Sequence, residues 1–262
     1  MGKKLNKAPV YFVIAQVQFN QFLALDDYAP LVQDSFRKSG FPDIERVNLP
    51  VFDIMIGSPH GAVHQSKQTE IRQYTFFNIE RTESFVLSND RLSFQTTHYE
   101  VFEQFSGKFL NGLKIVHDIM GLALLIRTGL RYLDAIVPAK DEKLSKYIDS
   151  HLLGLNEKLS GQLLHSFSET VYKNNNVSVT SRAMTTEGGL AVPPDLQMIS
   201  LNLMERFKTV SSLHTVLDND GSIVQRSAFD MELIGKQLSE IHEEIKRTFD
   251  ATVTTAAMES WK

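Results

Sequence analysis

The 262-residue chain contains no cysteine. Disulfides, thiolate nucleophiles and cysteine-based zinc sites are excluded together, and a reducing compartment fits. The chain also lacks a strong charge of either sign. Its 27 Lys and Arg stand against 31 Asp and Glu, for a formal charge of −4. A global attraction to nucleic acid or to an anionic membrane is therefore not indicated. No window holds the run of about 18 apolar residues that a spanning helix needs. The stretch "MGKKLNKAPVYFVIAQVQF" starts basic and turns apolar, but Gln16 and Gln18 break it and no small-residue cleavage site follows. A signal peptide is not expected on that pattern. Asn6 occupies the position where a myristoylation signal needs Ser or Thr. A cytoplasmic location without membrane association is expected.

Familiar catalytic spacings are missing as well. There is no G-x-S-x-G elbow and no H-E-x-x-H pair. The glycines of "TEGGLAVPPD" (186–195) have no following Lys and no strand-to-helix context, so they read as a hairpin or lid loop. His60 and His64 in "SPHGAVH" would suit a metal on a helix. Pro59 and Gly61 oppose that helix, and a solvated loop is expected. Lys3, Lys4 and Lys7 form a short basic arm, read as a solvated tail. No motif calls for a cofactor.

What is present is an ordinary globular composition, 42% hydrophobic and 22% charged. Residues 10–19 alternate, with Tyr11, Val13, Ala15, Val17 and Phe19 on one face of a strand. A helix is expected from Leu25, capped by Asp26 or Asp27 and ended at Gly40. Residues 45–57 read as a strand, and Pro50 favours a sheet edge for it. Residues 73–77 and 84–87 look like strands, and "SNDR" turns the latter into 92–97 as a hairpin. Phe102, Phe105, Phe109, Leu113 and Val116 repeat at helical steps and end at Gly121. A strand over 122–137 follows. Residues 144–158 look helical, 163–173 and 177–182 form a hairpin around "NNN", and 198–203 and 213–217 look like strands. "DNDGS" (218–222) reads as a turn. A last amphipathic helix spans about 229–249, with Ile234, Leu238, Ile241, Ile245 and Phe249 on one stripe.

This pattern predicts an α+β fold: a largely antiparallel curved sheet wrapping two long amphipathic helices. The "PAKDEKLSK" connector suggests halves at 1–138 and 139–262, of loosely similar element order, or one continuous domain. With 17 Phe, the helices and sheet could enclose an apolar pocket or a filled core.

The candidate site is "RTGLRYLD" (127–134). Alternation puts Arg127, Gly129 and Arg131 on one strand face, and Thr128, Leu130 and Tyr132 on the other, shared upstream by Leu122, Leu124 and Ile126. Gly129 would leave room for a close approach between the arginines. Two readings follow. Each Arg pairs with an acid, Glu100, Glu103 or Asp134, because a partly buried Arg must be paired. Otherwise Arg127, Gly129 and Arg131, with Tyr99 as a fourth contact, bind an anion such as a nucleotide phosphate or a carboxylate. A separate metal reading takes Asp218 and Asp220, on one strand face, with Asp134 or Glu187.

Four stretches resemble one known family: "APVYFVIAQVQF", "FVLSNDRLSFQTTHYEVFEQF", "LIRTGLRYLDAI", and the long helix ending near Trp261. It is a sporadically distributed family of uncharacterised bacterial proteins of similar length, and the likeness is strongest over 87–134. The resemblance transfers no activity. Patchy distribution is associated with phage defence and toxin–antitoxin genes, which implies a cytoplasmic accessory protein with a macromolecular partner. The expected function is thus a non-enzymatic binding or regulatory protein acting through a protein partner, in phage defence or toxin neutralisation. Self-association into a homodimer is a further partner arrangement. The alternatives are an anion or nucleotide sensor using Arg127 and Arg131, and a metal-dependent hydrolase or nuclease using Asp218 and Asp220.

Overall fold

A computed structural model of the chain describes residues 6–52, 68–155, 158, 160–196 and 201–262. His60, His64, Lys3 and Lys4 lie outside the described residues. Strand β1 (Val10–Phe19) organises the rest. Val13, Ala15, Val17 and Phe19 are fully buried on one face, as alternation requires. β1 sits inside a nine-stranded open antiparallel sheet of order β2-β3-β4-β5-β1-β6-β9-β8-β7. The other strands are β2 (Asp43–Phe52), β3 (Gln68–Phe77), β4 (Glu83–Ser88), β5 (Arg91–Thr96), β6 (Leu124–Ile136), β7 (His165–Asn174), β8 (Val177–Thr186) and β9 (His214–Ala228). β2, the strand with Pro50, takes a sheet edge as expected, and β7 takes the other. The β6–β9 pairing carries the sheet across residue 138. The main core crosses it too, joining Phe94 and Leu113 to Val179 and Ile234.

Three helices rather than two lie against one face: α1 (Leu25–Lys38), α2 (Phe102–Met120) and α4 (Met231–Thr252). Among the described residues there are two further short ones, α3 (Glu205–Lys208) and α5 (Thr255–Ser260). α1 begins at Ala24 without a side-chain cap; Asp26 and Asp27 fall in its first turn, where their charge complements the dipole. α2 stops where Gly121 turns left-handed (φ +67) and donates to the His117 carbonyl. α4 is capped by Asp230, whose carboxylate accepts from the Glu232 and Leu233 amides. Between α1, α2 and the sheet the phenylalanines make a filled core. Phe36, Phe76, Phe85 and Phe94 pack with ring centroids 4.6–4.8 Å apart. The opposite face of β1, β6 and β9 is covered by residues 190–196 and 201–207, with Phe207 against Tyr11. Among the described residues no helix is long and apolar enough to cross a membrane.

Several expected elements differ. Residues 144–155 hold two short 3₁₀ turns, Leu144–Lys146 and Ser150–Leu153, in place of a helix. Residues 201–203 are irregular, and the rest of the expected 198–203 strand lies outside the described residues. A bulge between Leu125 and Arg127 breaks alternation in β6. It turns Leu125 into the core and leaves Leu124 and Ile126 half-buried.

The largest correction is "DNDGS": it is the middle of the 15-residue strand β9. Asp218 is fully buried as an ion-pair partner. Gly221 faces α4, and a β-carbon there would meet Ile241 at 2.6 Å and Ile245 at 3.0 Å. Residues with turn chemistry serve the sheet here because their neighbours need a carboxylate and a gap. Gly221→Val therefore overpacks the α4 interface. It should cost about 2 kcal/mol in urea unfolding, and an unchanged midpoint would show that α4 does not press on β9.

Candidate functional site

The arginine face of β6 is built into the sheet. Arg131 is nearly buried, and its guanidinium grips Asp218 with two bonds, Nε to Oδ1 at 2.6 Å and Nη2 to Oδ2 at 2.8 Å. Asp218 also accepts from Arg182 Nη1 at 3.2 Å, and Arg182 reaches Glu169 at 2.7 Å. On the other side Arg131 holds Asp195, from the segment that covers this face. That bond keeps the Asp195 carboxyl below its ordinary range. The expected partners Glu100, Glu103 and Asp134 are replaced by Asp218 and Asp195, because the former three lie across the sheet.

Arg127 bends back over Gly129. A β-carbon there would stand 2.6 Å from the Arg127 guanidinium, so the room left by Gly129 is taken by the chain's own arginine. Arg127 donates to Gln16 at 3.4 Å and lies 3.8 Å from Asp220. The anion reading of Arg127, Gly129 and Arg131 thus loses its free guanidinium forks. Tyr99 lies on the opposite sheet face and cannot join them. The metal reading fails on charge: Arg131 and Arg182 occupy Asp218, and Asp134 points to the helix face, opposite Leu217. Glu187 is exposed and bonds Gln162 at 3.3 Å. Among the described residues no three His, Asp or Glu are placed to hold a metal.

Tyr99 belongs to a different place. Between the start of α2, the middle of α4 and the end of β6 lies a cavity of about 570 Å³. Its floor is the helix face of β6, where Tyr132 and Asp134 follow Leu130 by alternation. The Tyr132 hydroxyl bonds Tyr99 at 3.3 Å and His242 Nδ1 at 3.1 Å. Phe102, in the first turn of α2, stacks flat on the His242 ring at 4.1 Å. Burial pushes the Tyr99 hydroxyl up to about 12 and lowers the His242 imidazole. At neutral pH the hydroxyls are protonated donors and the imidazole is neutral. Asp134 is 6% exposed and, among the described residues, has neither a cation nor a hydrogen-bond donor on its carboxylate. Burial alone raises it from 3.8 to about 7. Beside Tyr132 in register, Asn219 is fully buried with neither amide atom bonded. Unpaired polar groups of this kind are costly.

Sequence reasoning named Tyr99 and Asp134 but gave them other roles. It missed His242 and Phe102 as site residues, since 110 positions separate Tyr132 from His242. The one available signal was Asp134 closing an otherwise core-facing row. No family model matches the chain, and no curated protein or solved structure matches it at a significant level.

Two outcomes follow from these environments. Asp218→Asn leaves Arg131 buried and under-compensated, and should cost about 3–5 kcal/mol in urea unfolding. Arg127→Ala, a partly exposed pair, should cost less than about 1 kcal/mol. Equal costs would show that the two arginines are equivalent. Asp134 behaves oppositely. Folded, it keeps its proton to about pH 7; unfolded, it ionises near 3.8. The folded state therefore binds the extra proton between these values, and stability falls as pH rises through that window, by on the order of 4 kcal/mol. Asp134→Asn should match the wild type near pH 4 and exceed it at pH 8. A constant difference across pH would refute the burial.

Proposed function

We propose that the chain is a non-enzymatic binding and regulatory protein that acts through a macromolecular partner, with the cavity between α2 and α4 as its recognition site. The observation that carries this reading is Asp134: a carboxylate is held buried without a partner at the floor of an aromatic cavity, beside a bonded pair of tyrosines. A fold retains such a group against its stability cost when the group meets something from outside. The sequence resemblance suggests phage defence or toxin neutralisation in the cytoplasm as the setting.

The test is capture from the native host with wild type and with Ser239→Trp, which fills the mouth of the cavity from an exposed position on α4. A partner retained by the wild type and lost with the variant supports the reading. Identical capture by both overturns it. So does turnover of nucleotides, nucleic acid or esters by the purified protein that disappears in Asp134→Asn.

A further inference from the structure

We infer that the α2–α4 cavity takes a cationic nitrogen, an ammonium or a guanidinium, seated on the Asp134 carboxylate between the Tyr99, Tyr132 and Phe102 rings. The inference rests on the recognition-site reading above and names the ligand chemistry.

Three independent features point to it. The first is the unpartnered carboxylate. A buried ion needs a counter-charge, and the tyrosines that feel its charge, Tyr99 and Tyr132, supply none. The second is the wall. Tyr99 and Tyr132 stand nearly perpendicular with centroids 5.3 Å apart, and Phe102 lies across the cavity on His242. Aromatic faces beside a carboxylate attract desolvated cations through the ring quadrupole. The third is the charge balance: among the described residues, the acids Glu103, Asp134 and Glu243 line the cavity with one cation, Lys246.

Other occupants fit worse. An anion would face those carboxylates, and the dipole at the start of α2 is already answered by Glu103 in its first turn. A metal ion would need several ligands converging on it, and among the described residues no three His, Asp or Glu are placed to hold one. The ammonium or guanidinium could come from a free amine or from a Lys or Arg side chain of a protein partner.

The titratable groups that line the cavity with Asp134 are Tyr99, Glu100 and Glu103 before and in α2, Tyr132 on β6, and His242, Glu243 and Lys246 on α4. Among these, Asp134 is the carboxyl that burial brings to about 7. A cation selects its ionised form. Affinity should therefore rise about tenfold per pH unit up to about pH 7 and level off above it.

The experiment is calorimetry on the full chain with n-butylamine, N-acetyl-lysine methylamide and N-acetyl-arginine methylamide, against n-butanol and butyrate as neutral and anionic controls. The expected result is binding of a cationic probe alone, with the pH dependence above. Asp134→Asn should weaken it at least tenfold and flatten the pH profile, while Ser239→Trp should abolish it. Binding of butylamine but not the two amides assigns a free amine; binding of an amide assigns a partner's side chain. Butanol or butyrate binding that Ser239→Trp removes overturns the cation and leaves the cavity as the site. No binding by any probe, with host capture still blocked by Ser239→Trp, also overturns the cation alone. No binding, with capture indifferent to Ser239→Trp, overturns both.

Discussion

The bidentate bond between Arg131 and Asp218 is the constraint on which the sheet depends. Both groups are taken out of water, so each needs the other, and together they set where β6 and β9 lie in register. Asp218 passes the constraint to β8 through Arg182, and Arg131 passes it to the covering segment through Asp195. One carboxylate thus ties three strands and the layer above them. The same requirement explains why β9 runs straight through residues that normally turn a chain.

The sheet separates two kinds of polar chemistry that share one strand. On the covered face of β6 the charges are internally matched. On the helix face Asp134 is not matched, and its surroundings are aromatic. Adjacent residues of a strand point to opposite sides, so Leu133 joins the covering layer while Asp134 opens into the cavity. The difference between a structural charge and a recognition charge lies in what packs above each one. The covering segment brings Asp195 to Arg131, whereas α4 brings a neutral imidazole to the cavity that Asp134 lines.

Local physics was readable from the residues. Alternation placed Val13 to Phe19 of β1 and the two faces of β6 from Arg127 on, though Tyr11 turns to the opposite face from Val13; helical spacing placed α2 and α4, and Pro50 placed β2 at an edge. What escaped depends on distant partners. The bulge at 125–127 shifts alternation against both neighbouring strands, and Gly221 leaves room for Ile241, twenty residues on. The arginines were expected to be paired, and they are, yet by acids from β9 and the 194–196 turn that spacing could not bring near. The cavity needed three elements to meet. Its components were visible singly: Tyr99 near a helix start, Asp134 at a strand end, His242 within an amphipathic stripe.

The strand order carries a consequence for how the chain acquires its shape. β1 is synthesised before both of its neighbours, and one of them is β6, so Gln16 waits for Gly129. β6 in turn waits for β9, where Gly129 meets Ser222. Pairings that close loops of this length form slowly, because chain entropy is lost before contacts reward it. The β4–β5 hairpin and α2 can form at once from local contacts, while the apolar face of β1 remains an open edge on the growing polypeptide. The central strands are therefore the last to be completed, and a stalled or truncated nascent chain would expose the most apolar strand of the protein.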